Sequence, residues 1–144
     1  MRAALVVESL TGHTWKAAEL IADGLRQNGW GITGLSKVRQ PDHASIQDAD
    51  VVLVGTWVHG LFVVGVKPFA LPTISHLPAM QGKRAAVFCT FALNPGSSLD
   101  KLTGAVQATG AGVIGGLALH RSKLETHSEA FCERLLGAVV AQPA

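Results

Sequence analysis

The chain has 144 residues, of which 48% are hydrophobic and only 15% are charged, and its formal net charge is +2. A chain of this length and composition can bury a substantial core and is too apolar to be disordered. Its 12 basic and 10 acidic residues form no basic run or stripe, which argues against nucleic-acid binding. We expect one domain over residues 1–144, without repeats or linkers.

The first two predicted elements are a buried strand and a helix. Residues 3–7 form a continuous apolar run that is too short for a helix, which predicts a fully buried strand. From residue 15 to residue 26, apolar side chains recur at helical spacing. Asn28 and Gly29 then supply a helix stop.

The polar loop between these two elements is the first candidate site. It consists of Ser9, Leu10, Thr11, Gly12, His13 and Thr14. Main-chain N–H groups and the positive end of the helix dipole favour an anion at this position, three hydroxyls add donors, and the glycine allows close approach. Helix capping by the hydroxyls is the alternative explanation. The loop lacks the Gly-Lys-Ser/Thr ending of a triphosphate-binding loop, so we predict a phosphate monoester. Protonation of the His13 ring would strengthen that binding as the pH falls.

The rest of the chain continues the alternation of strands and helices. The predicted elements are a weak edge strand at 30–38, a brief helix within 41–50, a strand at 51–55, a strand at 85–89, a helix opened by a hydroxyl cap at 97–100 and stopped at Gly110, a glycine-rich strand at 112–119, and a helix opened by a capping box at 126–129. Residues 61–66 are entirely apolar. They are either the start of a further helix or an exposed patch that serves a homodimer or a redox partner.

Further candidate site residues follow the third and fourth predicted strands. They are Thr56, Trp57, Val58, His59 and Gly60, and then Thr90, Phe91, Ala92, Asn94 and Gly96. In an open parallel sheet, ligands bind beyond the carboxyl ends of the strands, where the strand order reverses. Trp57 offers an aromatic face to a flat ring, or else packs in the core. His59 either acts as a proton donor or charge modulator near the edge of the ligand or is simply solvated, and Asn94 and Gly96 suit a tight turn.

Residues 9–14 match the Ser/Thr-x-Thr-Gly-x-Thr signature of the flavodoxins position for position, and the whole chain resembles a short, non-acidic flavodoxin. The resemblance implies an α/β three-layer sandwich with a five-stranded parallel sheet in the order 2-1-3-4-5. It also implies that residues 9–14 hold the 5′-phosphate of FMN and that Trp57 stacks on the isoalloxazine. The segment 90–96 would line the second face of the ring. Because the chain has no tyrosine, Phe91 or the main chain would replace the usual tyrosine there.

The function predicted from this resemblance is FMN-dependent electron transfer to a redox partner protein or a small-molecule acceptor. An alternative is an FMN-dependent NAD(P)H:quinone-type reductase, which would need an open pocket and often a dimer. A second alternative is a flavin-free binding module. We predict no catalytic acid–base pair and no metal site.

Several features indicate a cytoplasmic protein without a membrane segment. No apolar run approaches the length of a signal-peptide core or a membrane span. Cys89 and Cys132 lie far apart without metal-binding spacing. We expect both to be buried free thiols, one on a core strand and the other on a helix, as suits a reducing compartment.

Overall fold

The structure, a computed structural model, describes residues 1–59 and 67–141. In chain order its elements are β1 (Arg2–Val7), α1 (His13–Gln27), β2 (Gly31–Lys37), α2 (His43–Asp48), β3 (Val51–His59), β4 (Lys67–Pro68), α3 (Leu71–Ser75), β5 (Arg84–Phe91), α4 (Ser98–Gln107), β6 (Gly112–His120) and α5 (Leu124–Ala141).

The central sheet has the strand order β2-β1-β3-β5-β6, and all neighbours along this path are parallel. Counted over the parallel strands alone, this is the predicted order 2-1-3-4-5, so the predicted topology is confirmed. The short β4 adds an antiparallel pairing to the end of β3 through Val58–Pro68 and His59–Lys67. Adjacent loops after β1 and β3 therefore meet at one edge of the sheet.

Two hydrophobic clusters, one on each face of the sheet, complete a three-layer sandwich. One cluster contains apolar side chains of α1 and α5, and the other contains those of α2, α3 and α4. Along β1, Leu5 and Val7 belong to the first cluster, whereas Ala4 and Val6 belong to the second. A strand covered on both faces needs apolar side chains at every position, which explains the uninterrupted run at residues 3–7.

Several boundaries differ from the sequence-based prediction, and they matter for the site. β3 continues to His59 and β5 to Phe91, so Thr56 to His59 and Thr90 to Phe91 lie on strands and not in loops. The extension follows from pairing, because Trp57 pairs with Thr90 in the sheet and β4 pairs with the end of β3. α1 begins two residues earlier than predicted, at His13.

The predicted caps of the last two long helices are wrong. Ser97 stands at the N-cap of α4 but its side chain makes no capping hydrogen bond. α5 begins at Leu124, ahead of the expected capping box at 126–129. The turn before it is closed by a hydrogen bond from Lys123 N–H to the His120 carbonyl at 2.9 Å, so the helix can start directly after the turn.

Gly60 and the apolar run 61–66, with its predicted helix, patch or dimer contact, lie outside the described residues. None of the helices in residues 1–59 and 67–141 combines the length and the hydropathy that a membrane span requires. Cys89 and Cys132 are both free and buried, as predicted. Burial raises the pKa of the Cys89 thiol to about 12. Burial, followed by the charges of Glu129 and Glu133, raises the pKa of Cys132 to about 11.

Candidate functional site

A pocket of about 180 Å³ lies beyond the carboxyl ends of β1, β3, β5 and β6. The side chains that line it are Leu10, Thr11, His13, Thr14, Trp57, Val58, Thr90, Phe91, Ala92 and Arg121. The structure thus brings together residues from all three predicted segments. Pockets that enclose a small molecule completely are usually larger, so the described residues would leave part of a bound nucleotide exposed.

A larger groove of about 550 Å³ between α1 and α5 is a poor site for a phosphate. It is lined by several carboxylates, those of Asp23, Glu125, Glu129 and Glu133. By contrast, no acidic residue lines the pocket at the sheet edge, as far as the described chain shows. Because like charges repel, an anionic ligand is expected at the sheet edge and not in the groove.

The main chain of the loop at residues 9–14 offers a row of donors. Among the described residues, the N–H groups from Ser9 to Thr14 donate to no protein acceptor. The flanking amides are engaged: Glu8 N–H donates to the Gly55 carbonyl at 2.9 Å, and Trp15 N–H donates to the Ser9 hydroxyl at 3.2 Å. Six consecutive amides that find no acceptor in the described chain, at the start of α1, form a site suited to an anion.

Gly12 gives this loop its shape. It is the N-cap residue of α1 with φ of +92°, a left-handed conformation that side-chain-bearing residues adopt rarely. A Cβ atom placed there would have no neighbour within 4 Å, so the glycine is required by the backbone and not by crowding. The first turn of α1 also contains no acidic residue that would oppose an anion.

The three hydroxyls of the loop have different roles. The Ser9 hydroxyl accepts the Trp15 N–H, so the capping explanation holds for this residue. The Thr14 and Thr90 hydroxyls are buried and hydrogen-bonded to each other at 2.7 Å, which ties the first loop to β5. Thr11 is exposed, and its hydroxyl has no partner in the described part of the chain. Thr11 is therefore the hydroxyl most available to a ligand.

An aromatic wall closes one side of the pocket. The indole of Trp57 stacks on Phe69 with ring centroids 4.7 Å apart and an interplanar angle of 18°. Behind it, the Arg39 guanidinium lies 5.5 Å from the Phe69 ring centroid, and its Nε lies 3.3 Å from a carboxylate oxygen of Glu8. Offset stacking and the cation–π contact hold Trp57 in one orientation at the pocket.

Three further predicted residues, Thr56, Asn94 and Gly96, are not part of the described lining of the pocket. Buried Thr56 donates its hydroxyl to the Phe69 carbonyl at 3.0 Å, which holds the aromatic wall in place. The Asn94 side-chain oxygen accepts the Gly96 N–H at 2.8 Å, and Gly96 has φ of +54°, so these two residues form a turn, as expected. For His59 the structure describes only the main chain, which pairs with Lys67.

Arg121 is the pocket residue that the sequence analysis missed. It directly follows β6, and its N–H donates to the Phe91 carbonyl at 2.9 Å. The sequence contained a signal for this residue, namely its position just after the last predicted strand. In a parallel sheet the carboxyl end of that strand lies at the same edge as those of the other three. The prediction considered only the loops after the first, third and fourth strands.

The donor set fits a ligand with a phosphate at one end and a flat ring at the other. The free amides of residues 9–14 suit the phosphate, and the fixed indole of Trp57 suits the ring. The described residues include no cluster of His, Cys, Asp and Glu able to hold a metal ion.

No protein-family model and no curated protein matches the chain. Solved structures do. Flavodoxin 1 from Bacillus cereus is similar over 100% of both chains, with a TM-score of 0.70 and 21% identity. A flavodoxin from Pseudomonas aeruginosa is similar over 97% of this chain and 99% of its own, with a TM-score of 0.71 and 19% identity. The rubredoxin:oxygen oxidoreductase of Desulfovibrio gigas is similar over 96% of this chain but only 37% of its own, with a TM-score of 0.65 and 19% identity. At these identities the likeness shows the fold, which is that of the flavodoxins.

Proposed function

We propose that this chain binds FMN in the pocket at the sheet edge and works as an electron-transfer protein. The observation that carries the proposal is the row of free amides from Ser9 to Thr14 around the left-handed Gly12. It lies in the same pocket as the stacked indole of Trp57. The flavodoxin fold supports this assignment.

The phosphate end would be held mainly by the main chain. A phosphate monoester carries up to two negative charges, and hydrogen bonds from N–H groups to a charged acceptor are about twice as strong as neutral ones. The dipole of α1 adds roughly 0.3–1 kcal/mol at an exposed helix end. Thr11 would add a side-chain donor. All of these contacts would be made with the phosphate, which riboflavin lacks, so FMN is expected to bind more tightly than riboflavin.

The ring end would be held by contact with the aromatic wall. Trp57 presents an indole whose orientation is set from behind by Phe69, and Phe91 packs edge-on against His120 with ring centroids 5.1 Å apart. Contact with these rings excludes water from part of the isoalloxazine. FMN, when bound, supplies the redox chemistry, and the chain contributes binding and orientation.

The open form of the pocket supports transfer to an external partner. The described residues enclose only about 180 Å³, so by themselves they would leave one edge of the ring accessible to a redox partner protein or a small-molecule acceptor. The pocket residues that the structure describes contain no pair of side chains arranged for acid–base catalysis. The buried free thiols of Cys89 and Cys132 support a reducing compartment, and we place the activity in the cytoplasm.

The proposal is tested by titrating the purified chain with FMN and with riboflavin. We expect the flavin fluorescence to be quenched, the visible spectrum to shift, and FMN to bind more tightly than riboflavin. Anaerobic mixing of the loaded protein with NADPH should leave the flavin oxidised unless a reductase is added. Prompt bleaching by NADPH alone would assign the chain to the reductases, and failure to bind FMN would overturn the proposal.

A further inference from the structure

Arg121 brings a positive charge to the pocket that nothing in the described chain neutralises. It is exposed and lines the pocket, where His13 is the other titratable side chain among the described residues. Its guanidinium makes no hydrogen bond or ion pair within the described part of the chain. Other arginines are engaged, since Arg26 pairs with Asp23 at 3.0 Å and Arg39 pairs with Glu8 at 3.3 Å. The charge of Arg121 therefore acts on whatever approaches the pocket.

The turn that carries Arg121 is held firmly. Besides the bond from its own N–H to the Phe91 carbonyl, the Ser122 N–H and hydroxyl lie 3.1 and 2.7 Å from Nδ1 of His120. Lys123 N–H donates to the His120 carbonyl at 2.9 Å. These four bonds fix the main chain at Arg121 beside the end of β5, so its side chain starts at the pocket.

No carboxylate in the described pocket offsets this charge. Glu8, the acid nearest to the loop in sequence, is buried and paired with Arg39. The segment 60–66 contains no charged residue in its sequence. Two large apolar side chains are exposed near the site: Leu10, which lines the pocket, is 70% exposed, and Leu93, in the segment after β5, is 72% exposed.

From these observations we propose that the charge of Arg121, which offsets part of the negative charge of bound FMN, favours electron exchange with negatively charged redox partners. This inference rests on the proposed function, because it needs FMN in the pocket. A charge at the pocket raises the local concentration of partners of opposite sign and lowers that of partners of like sign. The exposed side chains of Leu10 and Leu93 add no competing charge.

The test uses two small oxidants of opposite charge, ferricyanide with three negative charges and hexaammineruthenium(III) with three positive charges. The FMN-loaded chain is reduced under anaerobic conditions and mixed with each oxidant at low ionic strength. Each oxidant ion accepts one electron, so two are consumed for every fully reduced FMN that is reoxidised, and the released protons pass to the solvent. The ratio of the two rates removes any common effect of a changed flavin potential.

We expect Arg121→Gln to slow oxidation by ferricyanide and to accelerate oxidation by the ruthenium complex. For three charges at roughly 10 Å in water at about 10 mM salt, each rate should change about fivefold. Arg121→Glu should change each rate further in the same directions. The effect should shrink as salt is added. Arg26→Gln is the matched control, because it removes the same charge near the far end of α1 and should leave the ratio unchanged.

An unchanged rate ratio in Arg121→Gln would overturn the inference, and so would an equal change in Arg26→Gln, which would reflect net charge alone. FMN binding is measured separately on the same samples from the visible spectrum. A chain that holds no FMN refutes the proposed function and this inference with it. A chain that holds FMN but shows no charge selectivity refutes the inference alone.

Discussion

The conformation of Gly12 provides a sharp test of the phosphate loop. Gly12→Ala introduces a Cβ atom at a residue with φ of +92°, in a space where nothing lies within 4 Å. The substitution therefore strains the main chain without causing a clash. A left-handed conformation costs an L-residue about 1–2 kcal/mol relative to glycine. The variant loop can relieve this strain by turning its amides away from the ligand site.

Gly29→Ala is a control with the same local properties. Gly29 has φ of +84°, and a Cβ atom added there would likewise have no neighbour within 4 Å. It follows the other end of α1, about 20 Å from the loop at the rise of an α-helix. Gly29→Ala should lose about 1–2 kcal/mol of free energy of unfolding, because the hydrogen bonds of its turn keep the alanine in a left-handed conformation, whereas Gly12→Ala should lose less, because its loop can relax in the FMN-free chain. Urea unfolding of the FMN-free chains measures this loss.

FMN affinity should separate the two variants. If FMN binding must restore the left-handed loop in Gly12→Ala, a cost of about 1–2 kcal/mol corresponds to roughly 5- to 30-fold weaker binding. Riboflavin lacks the phosphate and should bind both variants as it binds the wild-type chain. Fluorescence titration measures both affinities. Equal loss of FMN affinity in Gly29→Ala, or an equal loss for riboflavin in Gly12→Ala, would refute the assignment of this loop to the phosphate.

Four further changes test other parts of the site and core. Thr11→Ala should weaken the binding of FMN more than that of riboflavin in the same titration, because the hydroxyl would donate to the phosphate, which riboflavin lacks. The hydroxyl has no partner within the described chain, so stability should change little; equal losses of affinity would contradict a phosphate contact. Trp57→Leu should weaken both flavins alike, because the proposed contact of the indole is with the ring that both flavins share; a loss confined to FMN would argue against stacking. Thr14→Val should cost about 1–3 kcal/mol of unfolding free energy by leaving the Thr90 hydroxyl buried and unpaired, and adding Thr90→Val should recover part of it; simple additivity in urea unfolding would count against the bond. Because burial raises the pKa of Cys89 from 9.0 to about 12, the unfolded chain loses a proton that the folded chain keeps as the pH rises through this range, so the free energy of unfolding should fall. Cys89→Ala should show a shallower fall, and an unchanged pH dependence would contradict the thiol as its source.

The positions of the site loops could be predicted from short-range patterns, whereas the strand ends could not. A run such as residues 51–55 identifies a buried strand from its own side chains. That β3 continues through Trp57 depends on pairing with Thr90, which is distant in sequence, and with β4, and both pairings exist only in the folded sheet. Trp57 and Thr90 therefore line the pocket from strands, as fixed side chains and not as members of loops.

The sequence by itself determined the alternation of strands and helices and the loop at residues 9–14, because each depends on neighbouring residues, whereas the strand order was implied by the resemblance to the flavodoxins. Tertiary structure decided which side chains complete the site. The Thr14–Thr90 hydrogen bond joins residues that are 76 positions apart in the chain. Phe69, which follows β4, stacks on Trp57 of β3. Arg121 reaches the pocket only because β6 lies beside β5. Such contacts follow from the packing of distant segments, which no local pattern of residues encodes.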